Sequence, residues 1–196
     1  MKSPIEAKAH VMERFDRIHS RNHRILQLLR TLRKGCGEME DAEIRDSLDG
    51  LIAVVCVADR FASDLQQHID TAFPNGLCCR GSDCKSMWMG CCTDSSINDI
   101  YHEINQNLDT LADKTKDIIR VADGALETLH GRDGKSDLSQ ALELLWANLD
   151  DISFCRKSME VSGKEAFETV YTLVYAAPDS MRFDVDFEAG NNIFWE

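Results

Sequence analysis

Residues 97–129 read INDIYHEINQNLDTLADKTKDIIRVADGALETL, and mostly apolar residues recur in them at every third or fourth position. This 3–4 spacing places those residues along one face of an α-helix, as in the heptads of helical bundles. The helix would span about 50 Å, because each residue of an α-helix adds about 1.5 Å. The core stripe expected for it consists of Ile97, Tyr101, Ile104, Leu108, Leu111, Thr115, Ile118, Ala122, Ala125 and Leu129.

The same spacing occurs in three other segments of the chain. Ser3-Pro4-Ile5-Glu6 has the form of a capping box with proline at the first helical position, so the first helix is expected to begin there. Four long amphipathic helices separated by short breaks predict an all-α, antiparallel up-and-down four-helix bundle. The expected stripes are Val11, Phe15, Ile18, Asn22, Ile25, Leu29, Leu32; Ile44, Leu48, Leu51, Val55, Ala58, Ala62, Leu65, Ile69; and Leu138, Leu142, Leu145, Leu149, Ile152, Arg156, Met159.

Two segments fall outside these helices. Residues 74–93 form a cysteine-rich loop between the second and third helices. After Gly163 we expect a short fifth helix, followed by a C-terminal hairpin or arm, so that residues 164–196 make up an appendage. Residues 1–196 are expected to form a single domain.

Charge and hydropathy exclude several classes of protein. The chain carries a net charge of -12 and a pI near 4.9, so we expect it to bind neither nucleic acid nor anionic membranes. The N-terminus has no apolar signal core, and no run approaches the roughly 18 apolar residues of a membrane span. These features favour a cytoplasmic protein, or a soluble domain excised from a larger receptor.

The cysteines are concentrated in the loop. Five of the eight lie within fifteen residues of one another, and the absence of an export signal favours metal or redox chemistry over a disulfide framework. No Cys-x2-Cys motif is present, but four thiolates from such a loop could hold zinc or an iron–sulfur cluster. A disulfide or redox switch, and thiols without a role, remain the alternatives. The candidate ligands are Cys78, Cys79, Cys84, Cys91 and Cys92.

Other residues at the loop end of the bundle are weaker candidates. His68 lies beside the core stripe and is the best supplementary ligand, whereas His10 and His102 fall outside the stripe and are expected to be solvated. The cysteines outside the loop, Cys36, Cys56 and Cys155, are expected to be small packing residues.

Three polar residues interrupt the core stripes: Asn22, Thr115 and Arg156. Antiparallel pairing predicts that they meet in the middle of the bundle. They would form either a register-setting polar layer or a binding site for a small anion. Since a buried arginine needs a partner, one of Asp113, Asp117, Asp150 and Asp151 is expected to supply it.

A di-iron bundle is a further alternative. His19-x3-His23 and Glu127-x2-His130 have local ligand spacing, and Asn22–Leu29 resembles the first helix of hemerythrin-type domains. The resemblance covers about eight residues and would imply a metal site in the bundle core. The heptad register instead turns His23 and His130 outward.

The sequence therefore favours a non-enzymatic sensory or regulatory domain, whose loop binds zinc or an iron–sulfur cluster or reports redox state. The alternative is an acidic interaction module of the inhibitor, chaperone or immunity type, with a structural disulfide loop. In either case we expect the partner to be another protein or domain, and a homodimer is compatible with the pattern.

Overall fold

The computed structural model describes residues 4–36, 42–74, 76–77, 95–129, 134–175, 184–185 and 193–194. Four long helices account for nearly all of them: α1 Pro4–Cys36, α2 Ala42–Ala72, α3 Ser95–Thr128 and α4 Lys135–Tyr175. Two two-residue strands, β1 Asp184–Val185 and β2 Ile193–Phe194, pair antiparallel in the tail for which the sequence predicts a hairpin or arm. The predicted all-α four-helix architecture is confirmed.

Each helix packs against its neighbours in sequence, and α4 returns to α1 to close the ring. Residue pairs between helices show that neighbours run antiparallel. Lys8 near the start of α1 bonds Asp70 near the end of α2, whereas Arg33 near the end of α1 bonds Asp49 near the start of α2. On the other side of α1, the Cys155 thiol of α4 faces the Val11 carbonyl.

The predicted stripes of α1, α2 and α3 form the core. Every stripe residue of these helices whose side chain the structure describes is buried, from Val11 in α1 to Leu129 after α3. In α4 the stripe is rotated: Arg156 is exposed, while Asn148, Asp151 and Cys155 are buried. The prediction that Arg156 faces inward is wrong, because a small thiol at Cys155 fills the core position at far lower cost than a charged guanidinium.

The residues expected to form a fifth helix belong to α4 instead, which is continuous through Gly163 as far as Tyr175. Gly163 is buried, and a Cβ atom built on it would lie 3.2 Å from Cγ of Tyr101. The glycine therefore lets α3 and α4 approach closely and does not end the helix.

Candidate metal and polar sites

Buried residues lie on both sides of the cysteine loop in the sequence, Phe73 and Leu77 before it and Tyr101 of α3 after it. Phe73 and Leu77, which precede Cys78, are buried, and the Gly76 N–H donates to the Phe73 carbonyl in a turn where Gly76 has a φ of 107°. The Phe73 ring packs against Tyr101 of α3, with ring centroids 4.7 Å apart. Phe73 and Tyr101 thus form part of a packed apolar end of the bundle. Cys78, Cys79, Cys84, Cys91 and Cys92 lie outside the described residues.

The two cysteines described in the helices have opposite environments. Cys56 is exposed on the outer surface of α2. Cys155 is fully buried, and burial, aided by the negative charge of Asp151, raises the pKa of its thiol to about 12. Cys155 is therefore an inert packing residue, as expected. The same expectation for Cys56 is wrong, because its side chain is exposed to solvent. Cys36 lies in the last turn of α1, and its side chain is outside the described residues.

The histidines considered as ligands are dispersed. His68 is half-buried one turn before the end of α2, on the side from which the cysteine loop departs. His10 lies 3.8 Å from Glu13, and His102 bonds Gln106 on its own helix. Among the residues that the structure describes, no group of three or more His, Cys, Asp or Glu side chains could hold a metal ion.

The middle of the bundle contains a buried polar pair that joins α1 to α4. The Asn148 side-chain amide donates to Oδ1 of Asn22 over 2.8 Å, and both residues are buried. Oδ1 of Asn148 is also buried and has no hydrogen-bond partner in the described part of the chain. Thr115 is buried as predicted, but its hydroxyl donates to the Leu111 carbonyl of its own helix. Asn148, and not Arg156, is therefore the α4 residue that meets Asn22 in the middle of the bundle.

From this pair a chain of hydrogen bonds runs to the surface between α1 and α2. Asn22 donates to Oδ1 of Asp59 over 3.0 Å, and the same oxygen lies 2.9 Å from Nδ1 of His19. Nε2 of His19 lies 3.0 Å from Oε1 of Gln66, whose amide donates to Asp16. Both ring nitrogens of His19 thus lie within hydrogen-bond distance of side-chain oxygens of α2. His19, considered above as a core iron ligand, instead links two helices.

A second charged cluster lies between α1 and α4. Asp151 is 2% exposed, and its carboxylate accepts hydrogen bonds from Arg14 and from Arg21, the latter over 2.6 Å. Nε of Arg17 lies 3.5 Å from the same carboxylate, and the guanidinium of Arg14 stacks 4.2 Å over the Phe154 ring. Burial acts to raise the pKa of Asp151, but the hydrogen bonds and charges of Arg14 and Arg21 outweigh it, so the pKa is lowered.

Arg156 lies on the surface between α3 and α4. Its guanidinium bonds Asp109 and lies 3.7 Å from Glu160, and the bond to Asp109 raises the pKa of Arg156. None of the four aspartates expected to be its partner has that role, although one of them, Asp151, is the buried carboxylate of the cluster described above. The three predicted residues Asn22, Thr115 and Arg156 therefore do not form one site.

Sequence reasoning missed Asn148 and the arginines around Asp151. A signal for Asn148 was present in α4, since Ala141, Leu145, Asn148, Ile152, Cys155 and Met159 also recur at intervals of three and four. Only the partners on α1 decide between that stripe and the one containing Arg156.

Comparisons with known proteins identify no relative of this chain. No protein-family model matches the chain, and no significant match was found among curated proteins or solved structures. None of the helices as described has a stretch long and apolar enough to cross a membrane.

Proposed function

We propose that the chain is a non-enzymatic regulatory domain of the cytoplasm, in which the cysteine loop binds zinc or an iron–sulfur cluster through its thiolates or reports redox state with them. The observation that carries this proposal is the pair of loop stems. A loop with five cysteines starts one residue after the buried Leu77 and ends just before α3. The loop therefore connects two long helices that pack against each other.

The route from the loop into the bundle passes through three packed residues. Phe73 at the end of α2 contacts Tyr101 of α3, and Tyr101 lies against Gly163 of α4. A change in the conformation of the loop would displace Phe73 or the first turns of α3, and a packed core responds to such displacement by shifting whole helices. Loading or oxidation of the loop would thereby alter the outer surface of the bundle, where a protein partner can recognise the change.

The environments of the helical cysteines provide internal standards for a test by alkylation. Native protein purified without oxygen or chelator is treated with iodoacetamide, and each cysteine is followed by mass spectrometry. Cys56 should react at once because it is exposed, and Cys155 should react only on unfolding because its thiol is buried with a raised pKa. We expect at least three loop cysteines to resist labelling until a chelator or cluster-destroying oxidant is added.

Two other outcomes would contradict metal binding. Loop cysteines that react as fast as Cys56 are not bound to a metal ion. Loop cysteines that are released by a reductant and not by a chelator form disulfides, which would leave a redox reporter or the structural loop of an interaction module.

A further inference from the structure

The acidic chain contains a strongly basic helix. α1 has eight Lys and Arg residues against three Asp and Glu, a net charge of +5, whereas the whole chain carries -12. From residue 17 to residue 36 there are six basic residues and no acidic one. Such segregation of charge within one chain is typical of a surface that attracts an oppositely charged partner.

Four arginines of this segment, Arg17, Arg21, Arg24 and Arg30, lie on the two sides of its exposed ridge, and together they are called the basic face. They span 14 residues of α1, or roughly 20 Å along the helix. Arg24 and Arg30 are exposed, and the side chains of Arg17 and Arg21 retain 40% and 25% of their accessible surface. Their guanidinium groups can therefore reach a partner without any rearrangement of the bundle.

Neighbouring acids leave much of this charge uncompensated. Asp151 is the one buried carboxylate in contact with Arg14, Arg17 and Arg21, and Glu13 lies 3.6 Å from Arg17. Arg24 donates only to the neutral side chain of Gln27, over 3.4 Å. Arg30 has no ion-pair partner among the side chains described. The basic face thus keeps a net positive charge in a protein whose other helices are acidic.

We infer that the basic face is a docking surface for an acidic segment of another protein, a surface that the cysteine-loop function does not require. Arginine suits this task, because its planar fork binds carboxylates in a bidentate manner. The occupant must be narrow, since α2 and α4 on either side of α1 carry exposed acids such as Asp64, Glu143 and Asp150. A helical or extended peptide fits between them, whereas a nucleic-acid duplex, about twice as wide as a helix, would meet their repulsion.

The residues between the arginines argue against a membrane as the occupant. The outward positions of this part of α1 are Ser20, His23 and Gln27, all exposed and polar. Helices that bind at a lipid interface insert an apolar face, which α1 directs into the bundle core.

The test is a fluorescence-anisotropy titration of labelled oligoglutamate, twelve residues long, with the full chain at low and at moderate salt. We expect saturable binding that weakens with salt, because exposed ion pairs are screened. The double variant Arg24→Gln/Arg30→Gln should weaken binding about tenfold, the sum of two exposed charge contacts near 0.7 kcal/mol each.

A matched control carries the same change of charge elsewhere. Arg60→Gln/Arg120→Gln removes two exposed arginines from α2 and α3 and should change the affinity less than about twofold. Equal weakening by both pairs, or no binding of oligoglutamate by the original chain, would overturn the inference. Tighter binding of an oligonucleotide or of phosphatidylserine vesicles would overturn it too. So would self-association, seen by sedimentation, that the Arg24→Gln/Arg30→Gln variant loses, because the occupant would then be a second copy.

Discussion

At the scale of single residues, the ion pairs of one buried carboxylate, Asp151, connect α4 to α1. Asp151 is 2% exposed, and an isolated carboxylate in that position would be costly. Arg14, Arg17 and Arg21 gather around it from successive turns of α1, and each keeps part of its surface in water. The cluster therefore combines a buried anion with cations that can be solvated, which reduces the desolvation penalty of a fully buried ion pair.

Replacing Asp151 with Asn should lower the free energy of unfolding by about 2–3 kcal/mol at neutral pH, because the arginines lose a charged acceptor. Asp150→Asn, one residue away and exposed, should change it by less than about 0.5 kcal/mol. Chemical denaturation of both variants provides the measurement. Equal effects would show that the buried cluster contributes nothing specific.

The contribution of Asp151 to the free energy of unfolding should also depend on pH. Since the folded pKa of Asp151 is lowered, its contribution to stability is complete above the unfolded value of about 3.9 and is lost as the pH falls through the folded pKa. The advantage of the original chain over Asp151→Asn should therefore be constant from about pH 5 to 7 and shrink below about pH 4. An advantage that instead grows in acid would contradict the lowered pKa.

The pair Asn22 and Asn148 can be tested by a double-mutant cycle. Leucine at either position alone leaves the other amide without its partner in the core and should cost about 2 kcal/mol. The double variant with leucine at both positions should lose less stability than the sum of the two single losses, because no buried amide of the pair is left without a partner. If the two losses measured by urea denaturation simply add in the double variant, the Asn22–Asn148 hydrogen bond contributes no interaction energy to stability.

At the scale of the helices, two glycines in different surroundings distinguish the effect of helix propensity on stability from the effect of packing. Gly163 in α4 faces Tyr101, whose Cγ and Cβ would lie 3.2 and 3.3 Å from an added Cβ, and Tyr101 is itself packed against Phe73. Gly124 in α3 has no atom within 4 Å of an added Cβ. Alanine gains about 1 kcal/mol over glycine within a helix where there is room for the side chain.

Gly124→Ala should thus raise the free energy of unfolding by about 0.5–1 kcal/mol, whereas Gly163→Ala should lower it by about 1 kcal/mol, because Tyr101 cannot retreat from Phe73. Thermal unfolding of the two variants measures both signs. Stabilisation by Gly163→Ala would mean that Tyr101 yields and that the close approach of α3 and α4 is not a constraint.

The helices also show how far a sequence pattern reaches. In α1, α2 and α3 the spacing of apolar residues is unambiguous, so the buried faces follow from the 3.6-residue period alone. In α4, two stripes satisfy the same period, and the choice between Cys155 and Arg156 depends on Asp151 meeting arginines of α1. Asn22 of α1 contacts Asp59 of α2. The apolar spacing does not predict this pairing, because it depends on where α1 ends at Cys36 and where α2 begins at Ala42.

At the scale of the whole molecule, the bundle separates two chemical surfaces. The end formed by Phe73, Leu77 and Tyr101 supports the cysteine loop, whereas the side of α1 carries the basic face. The density of cysteines predicts metal or redox chemistry for the loop, but residues 78–92 have no helical repeat from which a set of ligands could be predicted. The net charge of the whole chain did not indicate the basic helix, because it adds the positive charge of α1 to the larger negative charge of the rest of the 196 residues.

The proposed metal function is tested most directly by the metal content of the protein, measured by inductively coupled plasma mass spectrometry after purification without oxygen or chelator. We expect stoichiometric zinc or iron in the original chain, strong loss of that metal in Cys84→Ser, and full retention in Cys56→Ser, whose thiol is exposed on α2 away from the loop stems. A chain without stoichiometric metal, or equal loss from the two serine variants, would contradict metal binding by the cysteine loop.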